Sequence, residues 1–169
     1  MKNLLLVLAC CCLLMRASGS EPTSTVAKNF VGLWKLVRIE VRHPDGHITP
    51  DPDLGPHVVG YIAYDSTGHM AVQLMDPDRP KWKSKDQPTA EESRAAVTGF
   101  EAYSGTYEVH DREGYVIHHA ELSLDPNSVG EAKKRKFQLR GGQLSLTPPP
   151  FQSSTGEMLD ETLIWERVR

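Results

Sequence analysis

Short blocks of alternating apolar and polar residues, rich in β-branched and aromatic side chains, recur from residue 34 almost to the end of the chain. A period of two marks strands with one buried face. Eight strands are predicted, over residues 34–42, 58–64, 69–75, 103–110, 115–124, 132–139, 143–147 and 162–168. One helix interrupts them, between the third and fourth. Thr89-Ala90-Glu91-Glu92 reads as a capping box, and Ala95, Ala96, Phe100 and Tyr103 follow at helical spacing before the chain turns extended.

The connections decide the topology. Asp65-Ser66-Thr67-Gly68, Asp111-Arg112-Glu113-Gly114 and Arg140-Gly141-Gly142 are tight hairpin turns, with Gly where a positive φ is wanted. The links between them are longer: 43–57, 76–102, 125–130 and 148–160. Short and long alternate strictly, so in an up-and-down meander every tight turn falls at one end and every long loop at the other. The expected fold is all-β, an eight-stranded antiparallel up-and-down barrel with one helix, closed at one end and able to hold a small ligand. A Greek-key sandwich would need crossovers that the tight hairpins do not offer.

The N-terminus changes the picture of where the barrel works. Lys2 precedes an unbroken apolar run from Leu4 to Met15 and the small polar stretch Arg16-Ala17-Ser18-Gly19-Ser20. That is the layout of a secretory signal peptide, too short to span a bilayer as a helix. The expected organisation is a signal peptide over 1–19 and one barrel domain over 20–169, secreted or periplasmic. A lipid anchor on a signal-segment cysteine is the alternative reading. Cys10, Cys11 and Cys12 all lie in this segment, so ordinary cleavage leaves a mature chain without a disulfide. Loss of Lys2 and Arg16 from 19 basic residues leaves 17 against 22 acidic, a net charge of −5. That sign gives no general reason to bind nucleic acid or anionic lipid.

Several segments in order resemble the bacterial and fungal proteins called lipocalin-like domains. They are Val31-Gly32-Leu33-Trp34-Lys35-Leu36, Gly60-Tyr61-Ile62-Ala63-Tyr64, Gly68-His69-Met70, Asp78-Arg79-Pro80, Gly105-Thr106-Tyr107, His118-His119 and Leu163-Ile164-Trp165-Glu166-Arg167. The resemblance implies a calyx that takes a small, largely apolar molecule. It also implies that Arg167, on the last strand, lies over the Trp34 indole at the start of the first and seals the closed end. The chain departs from the well-studied lipocalins in the place of its helix and in lacking a mature cysteine.

Alternation then sorts candidate chemistry. Val116, His118, Ala120 and Leu122 form the apolar set of their strand and are expected inside, with His119 outside, so the two histidines cannot ligate one ion together. Lys134, Lys136 and Gln138 form a polar outer face, which leaves Arg135, Phe137 and Leu139 inside. A guanidinium in a barrel needs a partner, either a protein carboxylate or an anionic group on a ligand. Tyr103 and Tyr107 share the inner face of the fourth strand, and Trp82 in the longest loop is expected to fold onto the helix.

The expected ligand-binding residues are therefore His118, Arg135, Tyr103, Tyr107 and Phe137, around a small apolar or amphipathic molecule, with an anionic head such as a carboxylate, phenolate or enolate expected at Arg135, and with no metal and no cofactor. No catalytic residue is assigned. Motifs for nucleophilic, phosphate-binding and zinc-dependent chemistry are absent from the sequence. The alternative is a cofactor-free isomerase, cyclase or hydrolase in the same cavity, with His118 as acid/base and Arg135 as electrostatic clamp.

Overall fold

The computed structural model describes residues 25–153 and 155–169; the predicted signal segment, with its three cysteines, lies outside them. In chain order the elements are α1 (Thr25–Phe30), β1 (Gly32–Arg42), β2 (Ile48–Thr49), β3 (Val59–Tyr64), β4 (His69–Met75), α2 (Ala90–Thr98), β5 (Phe100–His110) and β6 (Tyr115–Ser123). A single 3-10 turn (Pro126–Ser128), β7 (Ala132–Arg140), β8 (Gln143–Thr147), β9 (Phe151–Gln152) and β10 (Met158–Arg167) follow. The eight long strands pair as neighbours throughout, and β1 closes on β10 from Trp34↔Arg167 to Arg42↔Asp160. The two-residue strands β2 and β9 extend the sheet at the looped end. The architecture is the expected closed antiparallel barrel.

Local chemistry explains the frame. Gly68 and Gly114 adopt positive φ in the β3–β4 and β5–β6 turns, as a tight hairpin demands. The α2 capping box is complete: Glu92 N donates to Thr89 Oγ1 at 3.2 Å, and Thr89 N donates to the Glu92 carboxylate at 2.8 Å. The helix ends sooner than its apolar spacing suggests, because Gly99 caps it and Phe100 already pairs with Met75 of β4.

The closed end is a packed plug. Trp34 is fully buried, and its indole N–H donates to Phe30 O at 2.8 Å. Arg167 stacks on the indole, its Cζ 4.2 Å from the ring centroid. The guanidinium donates to Val31 O at 2.7 Å and also to Asn29 O. Gly32 stands where any Cβ would strike that guanidinium, which is why a glycine precedes the tryptophan by two. The helix α1 brings Phe30 edge-on against Tyr64 and Phe137, at 5.2 and 5.0 Å between ring centroids. Nothing in the alternation pattern marks this six-residue helix, since only Phe30 of it is buried.

Two bulges reset which side chains face inward. In β1 the pairing with β10 skips Val37, so Leu36 and Ile39 both point inside while Val37 and Arg38 stay outside. In β6 the pairing with β5 skips Glu121: Ala120 faces Gly105, and Leu122 faces Ser104. Leu122, expected inside, is therefore turned out and is 70% exposed. Gly105 makes the bulge possible, because a Cβ there would collide with His119 O.

Candidate ligand-binding cavity

Strand register fixes which polar groups reach the barrel interior. Opposite residues in an antiparallel pair share a face, so Glu101 lies inward beside buried Leu74, Tyr103 beside Val72, and Glu161 beside Val41. With His118, Arg135 and Trp165 they line a cavity of about 30 Å³, room for one water. Its other walls are Ile62, Val72, Leu74, Leu146 and Leu163.

His118 is 1% exposed and held between two tyrosines. Tyr64 Oη stands 2.8 Å from its Nε2, and Tyr103 Oη 2.9 Å from its Nδ1. Burial, then the positive charge of Arg135, drives the imidazole pKa down to about 3. The neutral ring therefore donates to one hydroxyl and accepts from the other. Burial also pushes Tyr64 well above its ordinary value and Tyr103 up to about 12, so both stay protonated. This chain is saturated: His118 has no free nitrogen to take a proton from a substrate, and its basicity is far below that of a useful general base near neutrality.

Arg135 is the opposite case. Its guanidinium donates to the Lys134 carbonyl at 3.1 Å and lies beside the Tyr103 hydroxyl. No carboxylate approaches it within ion-pair distance among the described residues. Two carboxyls nevertheless share its cavity. Burial, with the facing Asp51 second, raises Glu161 to about 8. Glu101 touches solvent at the rim, yet crowding by the barrel walls pushes its carboxyl above the usual range, with Arg135 opposing. The indole N–H of Trp165, a residue 1% exposed, is buried without an acceptor among the described residues. That is an incomplete set of partners in an apolar wall.

The other expected site residues lie elsewhere. Tyr107 donates its hydroxyl to Asp65 O in the β3–β4 turn at 2.8 Å and packs on Tyr64 with ring centroids 4.8 Å apart. Phe137 meets Phe30 in the same closed-end plug. The structure thus brings His118, Arg135 and Tyr103 together and sets Tyr107 and Phe137 in the packing toward the closed end. Trp82 is 46% exposed and borders, with Ala96 of α2, a surface groove beside the looped end. Among the described residues no group of three His, Cys, Asp or Glu is placed to hold a metal ion. No helix among them is long and apolar enough to cross a membrane.

A family model for the lipocalin-like domain matches residues 31–168, nearly the whole of the described barrel. The chain belongs to the lipocalin-like domain family. A curated relative, the 4'-hydroxy-3'-methoxypropiophenone carrier protein ppsC of Aspergillus oryzae, is 31% identical over 86 residues, covering 46% of this chain and 78% of the relative.

Within this lipocalin-like barrel, three cavity residues escape a reading of strand pattern: Glu101, Glu161 and Trp165. Glu101 precedes the predicted start of its strand at 103, and Glu161 precedes that of the last strand at 162; both strands begin earlier, at Phe100 and Met158. Extending the alternation backwards from Tyr103 and Leu163 by two residues would have placed both carboxyls inside. No sequence signal reveals that the Trp165 N–H lacks an acceptor.

Proposed function

We propose that this protein is an exported carrier of a small apolar or amphipathic molecule. The ligand enters from the looped end with its polar group toward Arg135 and Tyr103 and its apolar body against Ile62, Val72, Leu74 and Leu146. The observation that carries the reading is the cavity itself: an apolar wall, a guanidinium without a carboxylate at ion-pair distance, and an indole N–H without an acceptor. The relative's named cargo is an aryl ketone with one phenolic hydroxyl, an amphipathic molecule of this kind.

The cavity holds about 30 Å³, so its walls must move apart to admit anything larger than a water. Burying roughly 300 Å² of apolar ligand contributes about 7 kcal/mol before association costs, which corresponds to micromolar binding or weaker. Quenching of tryptophan fluorescence by a panel of aryl ketones, phenols and fatty acids tests this, Trp165 being the reporter in the cavity. Uniform absence of binding to folded protein would overturn it. Export is tested separately by intact mass and N-terminal sequencing, with a start near Ser20 expected and a lipidated cysteine counting against secretion.

A further inference from the structure

The two carboxyls beside Arg135 restrict what the polar end of the ligand can be. We infer that the cavity selects an uncharged head group that accepts hydrogen bonds, a phenol, enol, ketone or ester, and that Glu101 and Glu161 reject carboxylates. This rests on the carrier reading above and deepens it.

Arg135 by itself would favour an anion. It is not by itself. Glu101 and Glu161 line the same cavity and feel the guanidinium through the interior, each pulled toward ionisation by it. Burial, then Asp51 for both, Asp125 for Glu101 and Glu101 for Glu161, hold them toward the protonated form, with Lys133 also opposing at Glu101. Three carboxyls, those of Glu101, Glu161 and Asp51, therefore gather about one guanidinium, with Asp51 hydrogen-bonded to Glu161. An incoming carboxylate adds a fourth, and its negative charge among them is repelled or must be neutralised by a proton before it can stay.

A neutral head meets no such cost. Its oxygen can accept from Arg135 and from the Trp165 N–H, and a hydroxyl, where it has one, can donate to Glu101. The Trp165 N–H, which has no acceptor among the described residues, is thereby satisfied, and Arg135 gains an acceptor beside the Lys134 carbonyl. His118 adds nothing to the choice, since Tyr64 and Tyr103 occupy both its nitrogens.

The test is isothermal titration of the mature protein at pH 6 with methyl 4-hydroxy-3-methoxybenzoate and with the corresponding free acid, and with Nile red as a neutral apolar probe. The two aryl probes share their ring and phenol and differ in whether the carboxyl end is charged. The ester is expected to bind roughly tenfold or more tightly than the acid. In Glu101→Gln/Glu161→Gln the acid should rise toward the level of the ester. Glu101→Gln alone, at the solvent-touching rim, should move the ratio nearly as far at pH 6, where Glu161 is protonated, and serves if the double variant does not fold. An acid that binds as well as the ester in the unaltered protein overturns the inference, and so does a ratio that neither variant changes. If Nile red binds and neither aryl probe does, the head-group assignment fails while the carrier reading stands. If none of the three binds to folded protein, both fail.

Discussion

The two ends of this barrel are built from the same strands and treat their polar groups in opposite ways. At the closed end the donors of the plug are answered: the Trp34 N–H by Phe30 O, the Arg167 guanidinium by two carbonyls and an indole face, the Tyr107 hydroxyl by Asp65 O. Toward the looped end the Trp165 N–H has no acceptor among the described residues, Arg135 has the Lys134 carbonyl and Tyr103 but no carboxylate at ion-pair distance, and two carboxyls are held away from their usual ionisation. The turns differ likewise. The closed end carries Asp65-Ser66-Thr67-Gly68 and Asp111-Arg112-Glu113-Gly114, whereas the loops opposite expose Ile48, Trp82, Leu124, Phe151 and Met158. Both regions contain an arginine and a tryptophan, Arg167 and Trp34 on β10 and β1, Arg135 and Trp165 on β7 and β10. At one end their bonding is complete and serves stability; at the other it is incomplete and leaves something to be bound.

The comparison breaks most visibly at Trp34. Truncation to Ala removes a fully buried indole, its hydrogen bond and the platform for Arg167, and should cost about 3–5 kcal/mol of unfolding free energy. The ratio of ester to acid affinity should not move, because the residue lies outside the cavity. Chemical denaturation gives the first quantity and titration the second. Unchanged stability would mean that the closed end is not what holds the barrel together.

His118 links the two regions and predicts an acid limit. A histidine whose folded pKa is depressed to about 3 must stay neutral while the unfolded chain takes up a proton below its ordinary 6.5. Its contribution is therefore complete above pH 6.5 and is lost as pH falls toward 3. Thermal melts from pH 7 to 3.5 should show this decline, and His118→Gln should make it shallower while lowering stability at pH 7. Exposed carboxylates with lowered values, such as Asp65 and Asp125, add to the same limb, so the difference between the two proteins is the quantity to read.

Arg135→Leu is the sharpest contrast with Trp34→Ala. A half-buried guanidinium without a carboxylate within ion-pair distance adds little to stability, so unfolding free energy should change by less than about 1 kcal/mol. Affinity for the neutral aryl ester should fall about tenfold or more, the worth of one charge-assisted hydrogen bond, while Nile red is held as before. Loss of stability with unchanged affinity would exchange the roles of the two ends.

What could be read from the sequence follows from where the signals are local. Tight turns with Gly, the Thr89 capping box and period-two alternation each act within a few residues, and they suffice for eight strands, their order and the inward place of His118 and Arg135. The bulges at Val37 and Glu121 are not marked by the alternation: each exists because two strands slip by one residue where they meet, β1 on the distant β10 and β5 on its hairpin partner β6. One such slip moved Leu122 to the outside. The two carboxyls were missed for a related reason. Glu101 and Glu161 each stand two residues ahead of an aromatic or aliphatic inward residue, at strand starts where a charged side chain reads as loop, and only the pairing with Leu74 and Val41 turns them inward. Tyr107 and Phe137 have the right face but the wrong depth, since strand tilt in a closed barrel sets height independently of alternation.

The smallest expected effect concerns Glu161 and runs opposite to that of His118. Its folded pKa is raised to about 8 from an ordinary 4.5, chiefly by burial and then by Asp51. Between those values the folded protein keeps a proton that the unfolded chain has released. The stabilisation is full below the ordinary value and is lost as pH rises through about 8. Together with His118 this confines maximum stability to mildly acidic pH. Glu161→Gln, which is neutral throughout, should leave the melting temperature near that of the unaltered protein at pH 5 and exceed it modestly at pH 9. The carboxyl is only partly buried, and water at the mouth screens it, so a shift of a few degrees is the scale. The same substitution alone should begin to admit the free acid at pH 8, where the wild-type carboxyl starts to ionise, and change its binding little at pH 6. Parallel melting curves for the two proteins from pH 5 to 9 would show that Glu161 is not held protonated. The looped end would then have lost one of the two features that set it apart from the closed one.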